Sequence, residues 1–92
     1  MNSDFCYHKN MVLNEYISFK LEKLRKEKKM GVYTLCNKAA ISYETYRSIR
    51  RNKNKDIYIR TLLILLRALD TTPAEFFADE VFNGEELDID FK

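Results

Sequence analysis

Apolar residues recur at helical intervals along most of this chain. In "NEYISFKLEKLRKEKK", residues 14 to 29, Ile17, Leu21 and Leu24 fall at i, i+4 and i+7, the spacing of one buried helix face. The last turn of that segment is rich in lysine, which suits the negative end of a helix dipole, and Met30 and Gly31 close it. "VYTLCNKAA", 32 to 40, reads as a shorter second helix with Leu35, Cys36 and Ala39 on one side. A third runs from Ser42, a good N-cap, to about Arg51, and Asn52 suits a left-handed C-terminal position. Within it Tyr46 and Ile49, three apart, turn inward, while Tyr43, Glu44, Arg47 and Ser48 turn outward.

The segment "IYIRTLLILLRAL", 57 to 69, is the most apolar. Ile59, Leu62, Leu65, Leu66 and Leu69 form a broad face for burial, and Leu63 and Ile64 widen it further. "TPAE" then spells a capping box, with Thr72 as cap, Pro73 at the first helical position and Glu75 closing the box. A fifth helix is predicted from there through Phe76 and Phe77 to Val81 or Phe82. The tail "ELDIDFK" changes period: Leu87, Ile89 and Phe91 alternate with acids. At the other end, residues 1 to 13 permit either a short strand or a disordered arm. The pattern thus predicts an all-α, compact bundle of five short helices with brief connections and short terminal arms. Its parts are an N-terminal arm (1–13), a helical domain (14–77) and an acidic C-terminal segment (78–92).

Composition agrees. Two glycines and one proline in 92 residues, with 46% apolar residues, suit helices around one core. No run of about 18 apolar residues is present, so no membrane partner is expected. "MNSDFCYHKN" lacks the basic-then-apolar layout of a signal peptide, and the expected location is the cytoplasm. Cys6 and Cys36 have no metal-ligand spacing, Cys6 with His8 lacks further ligands, and Cys36 reads as a small core residue. The single histidine lies in the arm, and neither a nucleophile with its base nor a phosphate-binding glycine loop is visible. No enzyme activity and no cofactor are expected.

Charge changes the picture more. The net charge of +2 is the sum of unlike halves: residues 23 to 55 carry +9 and residues 78 to 92 carry −5. Like charge concentrated in the third helix and the loop after it ("RRNKNK") repels itself unless something anionic relieves it, so charge alone fits either an anionic partner for the front half or a solvated surface. Helices two and three are joined by a tight turn at "AAIS". In DNA-binding proteins built on such a unit, the second helix enters the major groove and its N-terminal residues reach base edges.

In order and spacing, "LRKEKKM", "LCNKAAIS", "TYRSIRRNK" and "TLLILLRALDTTPAEFF" resemble the Cro and phage-repressor type helix-turn-helix proteins, also called XRE-type regulators, from about Ile17 to Phe77. The resemblance implies a lambda-repressor-like fold and sequence-specific binding of double-stranded DNA through the helix at 42–51. It places Tyr43 and Glu44 at the first two base-reading positions and Ser48 at a third. Glu44 suits a cytosine amino group and Tyr43 a thymine methyl or a phosphate; Arg47 suits either guanine or backbone. Arg50, Arg51, Lys53, Asn54 and Lys55 are expected at phosphates. The chain departs from the family pattern in three places. Gly31 and Val32 replace the Ser and Gln that open helix two, which removes a phosphate anchor. Ala40 stands where the turn often has Gly, and Arg50, Arg51, Asn52 replace Glu, Arg, Gly. Readers of this type pair to match two half-sites, and the apolar excess at Ile64, Phe77, Val81, Phe82, Leu87, Ile89 and Phe91 marks the expected homodimer interface. Alternatively, the tail folds back on the first helix, or pairs with "FCYHK", and caps the core. A different class of function also fits the scaffold: a protein-interaction module, antirepressor or antitoxin-like, with little affinity for DNA.

Overall fold

The computed structural model describes residues 12–51, 56–84 and 87–89. Among these are five α-helices: α1 Leu13–Glu27, α2 Val32–Ala39, α3 Tyr43–Arg51, α4 Ile59–Ala68 and α5 Pro73–Phe77. A 3-10 helix, Glu80–Asn83, follows. The expectations for Phe5, Cys6, Tyr7, His8, Asn52, Lys53, Asn54, Lys55 and Phe91 lie outside the described residues.

The predicted periodicity builds the core. Ile17 and Leu21 of α1, Leu35, Cys36 and Ala39 of α2, Tyr46 of α3, Leu62, Leu65, Leu66 and Leu69 of the α4 segment, and Phe76 of α5 are buried in one cluster. Leu24, Ile49, Leu63 and Ile64 pack half-buried around it. Helix α1 starts one residue earlier than the pattern indicates, because Glu15 reaches back to accept the Val12 N–H at 3.2 Å and so satisfies one orphan donor of the first turn.

Three helices end alike. After α1, the Met30 N–H donates to the Arg25 carbonyl (3.0 Å) and Lys29 N–H to Lys26 (3.0 Å). After α2, Ile41 N–H donates to Cys36 (3.0 Å) and Ala40 N–H to Asn37 (3.2 Å). After α4, Thr71 N–H donates to Leu66 (2.9 Å) and Asp70 N–H to Arg67 (3.1 Å). These are Schellman closures, which need a left-handed residue just past the helix. Lys29, Ala40 and Asp70 supply it, at φ 55°, 58° and 56°. The two glycines do not: Gly31 (φ −71°) precedes α2 and Gly84 (φ −89°) follows the 3-10 helix in ordinary backbone.

The structure corrects two expectations. Ile59 has the right period for the buried face of α4, but its turn protrudes past the core, and Tyr58 and Ile59 are 76% and 65% exposed. The fifth helix, predicted to reach Val81 or Phe82, stops at Phe77. Its Thr72–Glu75 capping box forms as read, with both hydrogen bonds made (3.1 and 3.0 Å). What stops it is Asp79, whose extended backbone and side chain, accepting the Val81 N–H at 3.0 Å, begin the 3-10 helix instead. Asp79 also accepts from the Tyr16 hydroxyl and lies 3.2 Å from the Lys20 ammonium, so it fastens this turn to α1. For the tail, two arrangements were open, pairing between copies and folding back within the chain. Leu87 is buried, Leu13 N–H donates to the Asp88 carbonyl at 3.0 Å, and Val12 and Asp88 form a parallel bridge. Residues 87–89 thus fold back on the start of α1, as in the intramolecular alternative, and Leu87 is taken up by its own chain. Phe82 likewise sits half-buried among Tyr16, Phe76 and Phe77.

Candidate nucleic-acid interface

The helix-turn-helix consists of α2, the left-handed Ala40 with Ile41 and Ser42, and α3. Ser42 caps α3 as expected: its Oγ accepts the Thr45 N–H at 3.0 Å. The inward side of α3 is marked by Ile49, packed half-buried on the core, and by Tyr46, which is fully buried and donates its hydroxyl to Glu22 Oε2 of α1 at 2.6 Å. Glu22 also accepts from Arg25 Nη2 (2.7 Å) and Nε (3.1 Å), while Arg25 Nη1 donates to the Met30 carbonyl (2.8 Å). Arg50 Nε of α3 lies 3.7 Å from the same carboxylate.

The electrostatics follow from this packing. Burial by itself raises the Glu22 carboxyl. The hydrogen bonds from Arg25 and Tyr46, together with the charges of Arg25 and Arg50, outweigh it and hold the group below its ordinary range. Burial, followed by the bond to Glu22, pushes the Tyr46 phenol up, so it remains a donor. Self-repulsion in the basic stretch is therefore relieved partly from within: Glu22, just outside that stretch in sequence, sits against two of its arginines in space. Sequence reasoning missed this residue. The available signals were a buried phenol that requires a partner and a Glu–Arg pair at i, i+3; the 24-residue separation of Tyr46 from Glu22 concealed the link.

With α3 held this way, Glu44 and Arg47 point out, their side chains 77% and 44% exposed, and face each other at 3.6 Å. Arg51 is exposed beside them. Ser48 differs from the expectation: it is half-buried and lines a cleft of about 200 Å³ with Thr45, Ile57 and Tyr58, because the chain entering α4 runs along that flank. Tyr43 is also half-buried. Its ring stacks on Tyr33 of α2, with centroids 4.9 Å apart and planes at 24°. Tyr33, at 66% exposure, was not among the sequence candidates.

The arrangement is a capped helix, rotationally fixed, that shows an acid, two arginines and a tyrosine on one side of a two-helix unit. The sequence model of the Cro/C1-type HTH DNA-binding domain matches residues 20–80, from the middle of α1 to the start of the 3-10 helix. The chain belongs to this family. No curated protein and no solved structure matches it. As a Cro/C1-type domain it falls in a class that binds DNA, not in an enzyme family. No helix among the described residues is long and apolar enough to cross a membrane. The family match ends at Glu80, so the returning segment that buries Leu87 lies beyond it.

Proposed function

We propose that this Cro/C1-type protein is a sequence-specific transcription regulator that places α3 in the major groove of double-stranded DNA. The observation that carries the reading is the fixed rotation of α3: Tyr46 and Glu22 turn one face of the helix into the core, and the opposite face presents Glu44, Arg47 and Arg51. In this reading Tyr43, Glu44, Arg47 and Ser48 address base edges, Ser48 from the flank, where a small hydroxyl still reaches a groove wall. Arg50, Arg51, Lys53, Asn54 and Lys55 take phosphates. Arg50 does so while sharing the Glu22 carboxylate, and Glu44 and Arg47 exchange an exposed pair of small worth for contacts with bases. The protein acts as a homodimer in the cytoplasm and needs no cofactor.

The deciding experiment is a mobility-shift series on the DNA flanking the protein's own gene. With about four to six phosphates neutralised, log K falls against log salt with a slope of about −4 to −5. Lys53→Ala and Lys55→Ala flatten that slope and weaken all sequences alike. No retention of any duplex at low salt would remove the DNA reading and leave the protein-interaction module in its place.

A further inference from the structure

Two tyrosines from different helices lie ring against ring where α2 and α3 begin. Tyr33 is the second residue of α2 and Tyr43 the first of α3. Their centroids are 4.9 Å apart and their planes 24° from parallel. The pair does little for the core, since Tyr33 is 66% exposed and Tyr43 only half-buried. Nor is it required to hold α2 on α3. The Ala40 closure, the Ser42 cap and the buried Tyr46 already define that joint.

What the stack does is restrict Tyr43. An aromatic side chain at the exposed start of a helix has several staggered positions open to it. A second ring lying along its face favours one of them, since offset stacking is an attractive arrangement. Ordering a side chain before binding removes that cost from the binding step, and the first turn of α3 is where base edges are met. The surface so prepared is apolar and flat, with hydroxyls only at the ring tips. In the major groove the complementary feature is the thymine 5-methyl group, which takes apolar contacts where other bases present donors and acceptors.

We infer that Tyr33, from outside the reading helix, is a positioning residue that holds Tyr43 against a thymine methyl and so helps to set sequence preference. This rests on the reading of α3 as the helix that enters the major groove. The test is selection of bound duplexes from a randomised pool by the full chain and by Tyr33→Ala, Tyr33→Phe and Tyr43→Ala, with a thermal melt of each protein. Tyr33→Ala and Tyr43→Ala should lose preference at the same thymine-bearing base pairs, by about 5- to 10-fold. Tyr33→Phe should retain the preference, because it keeps the ring. Melting of each variant should stay close to that of the unsubstituted chain.

A selected profile that Tyr43→Ala alters and Tyr33→Ala leaves intact would overturn the inference while sparing the DNA reading. So would losses at different base pairs. A Tyr33→Ala protein that melts early, binds every duplex more weakly and keeps its preferences would show Tyr33 to be a structural residue only, which also overturns it. If the unsubstituted chain retains no duplex even at low salt, the DNA reading fails and this inference fails with it.

Discussion

Removing the Tyr46 hydroxyl, as in Tyr46→Phe, deletes one hydrogen bond to a carboxylate that keeps its Arg25 partner. Bonds to charged groups contribute about 1.5–3 kcal/mol, so urea unfolding should show a loss in that range. The same carboxylate makes the fold acid-sensitive. The Glu22 pKa is lowered from its ordinary 4.5 in the folded chain, so folding favours the ionised form. Its contribution is complete above pH 4.5 and is lost as the pH falls through the lowered native value. Asp79 acts in the same direction: burial raises it, but the Tyr16, Val81 and Lys20 bonds prevail and lower it. Unfolding midpoints across a pH series should therefore fall on acidification, and Glu22→Gln should make that fall shallower. A Glu22→Gln protein with the full acid slope would assign the sensitivity elsewhere. On the opposite side of α3, Glu44 has no such duty. Glu44→Ala should leave stability nearly unchanged and alter the preferred duplex, by about 1–3 kcal/mol at the base pair it reads. An unaltered selected profile would show that the reading face has been misassigned.

Among the elements, the helix ends carry information that their interiors do not. Ala40 is left-handed at φ 58°, a conformation that costs an L residue about 1–2 kcal/mol. Glycine is free of that cost but gives back about 0.5–1 kcal/mol in chain entropy. Ala40→Gly should therefore stabilise the fold by about 0.5–1 kcal/mol, and a domain of this size gains about 4–8 °C in melting temperature per kcal/mol. Lys29→Gly should gain similarly and Asp70→Gly less, because aspartate tolerates this region. A lower melting temperature for Ala40→Gly would mean that the Ala40 methyl makes a contact outweighing its strain. These closures also mark where reading from the sequence stopped. The helix faces were legible because a period near 3.6 is enforced by burial at Ile17, Leu21, Leu35, Leu62 and Leu66. The left-handed positions at Lys29 and Asp70 were not, because the residue that signals them, glycine, stands at 31 and 84 instead, and Ala40 was marked only by the family resemblance. Helix α5 was read too long because Phe77, Val81 and Phe82 continue an apolar pattern that Asp79 interrupts by a local side-chain bond. In the candidate site, Glu44 and Arg47 follow from helical period alone. Glu22 and Tyr33 do not, since each acts across two helices whose mutual rotation no spacing along the chain encodes.

At the scale of the whole molecule, charge divides along the chain: residues 23 to 55 carry +9 and residues 78 to 92 carry −5. The acids of residues 78 to 92 are repelled by phosphates, so a surface built among them belongs away from the duplex. Apolar residues persist in that region: Phe77 is 40% and Ile89 65% exposed, and Val81 is half-buried. Leu87 is no longer available, and Phe82 is largely engaged by Tyr16, Phe76 and Phe77. The pairing surface proposed for the homodimer is thus narrower than the composition of the tail implies: Phe77, Val81 and Ile89, with Phe91 following, and Ile64 as the half-buried outlier on α4. Deleting the tail is a poor test, because it strips Leu87 from the core and the Leu13–Asp88 bond from the start of α1. Single substitutions of exposed residues avoid that fault. The full chain at tens of micromolar should sediment as a dimer, and Phe77→Asp or Ile89→Asp should yield a folded monomer whose melting temperature is close to that of the dilute parent protein. Those monomers should still bind one half-site, with a shallower salt dependence because fewer phosphates are neutralised per complex. A full chain that sediments as a monomer at every concentration would dispose of the dimer. A dimer that withstands both substitutions would move the interface to α4, where Ile64→Asp is the next variant to measure.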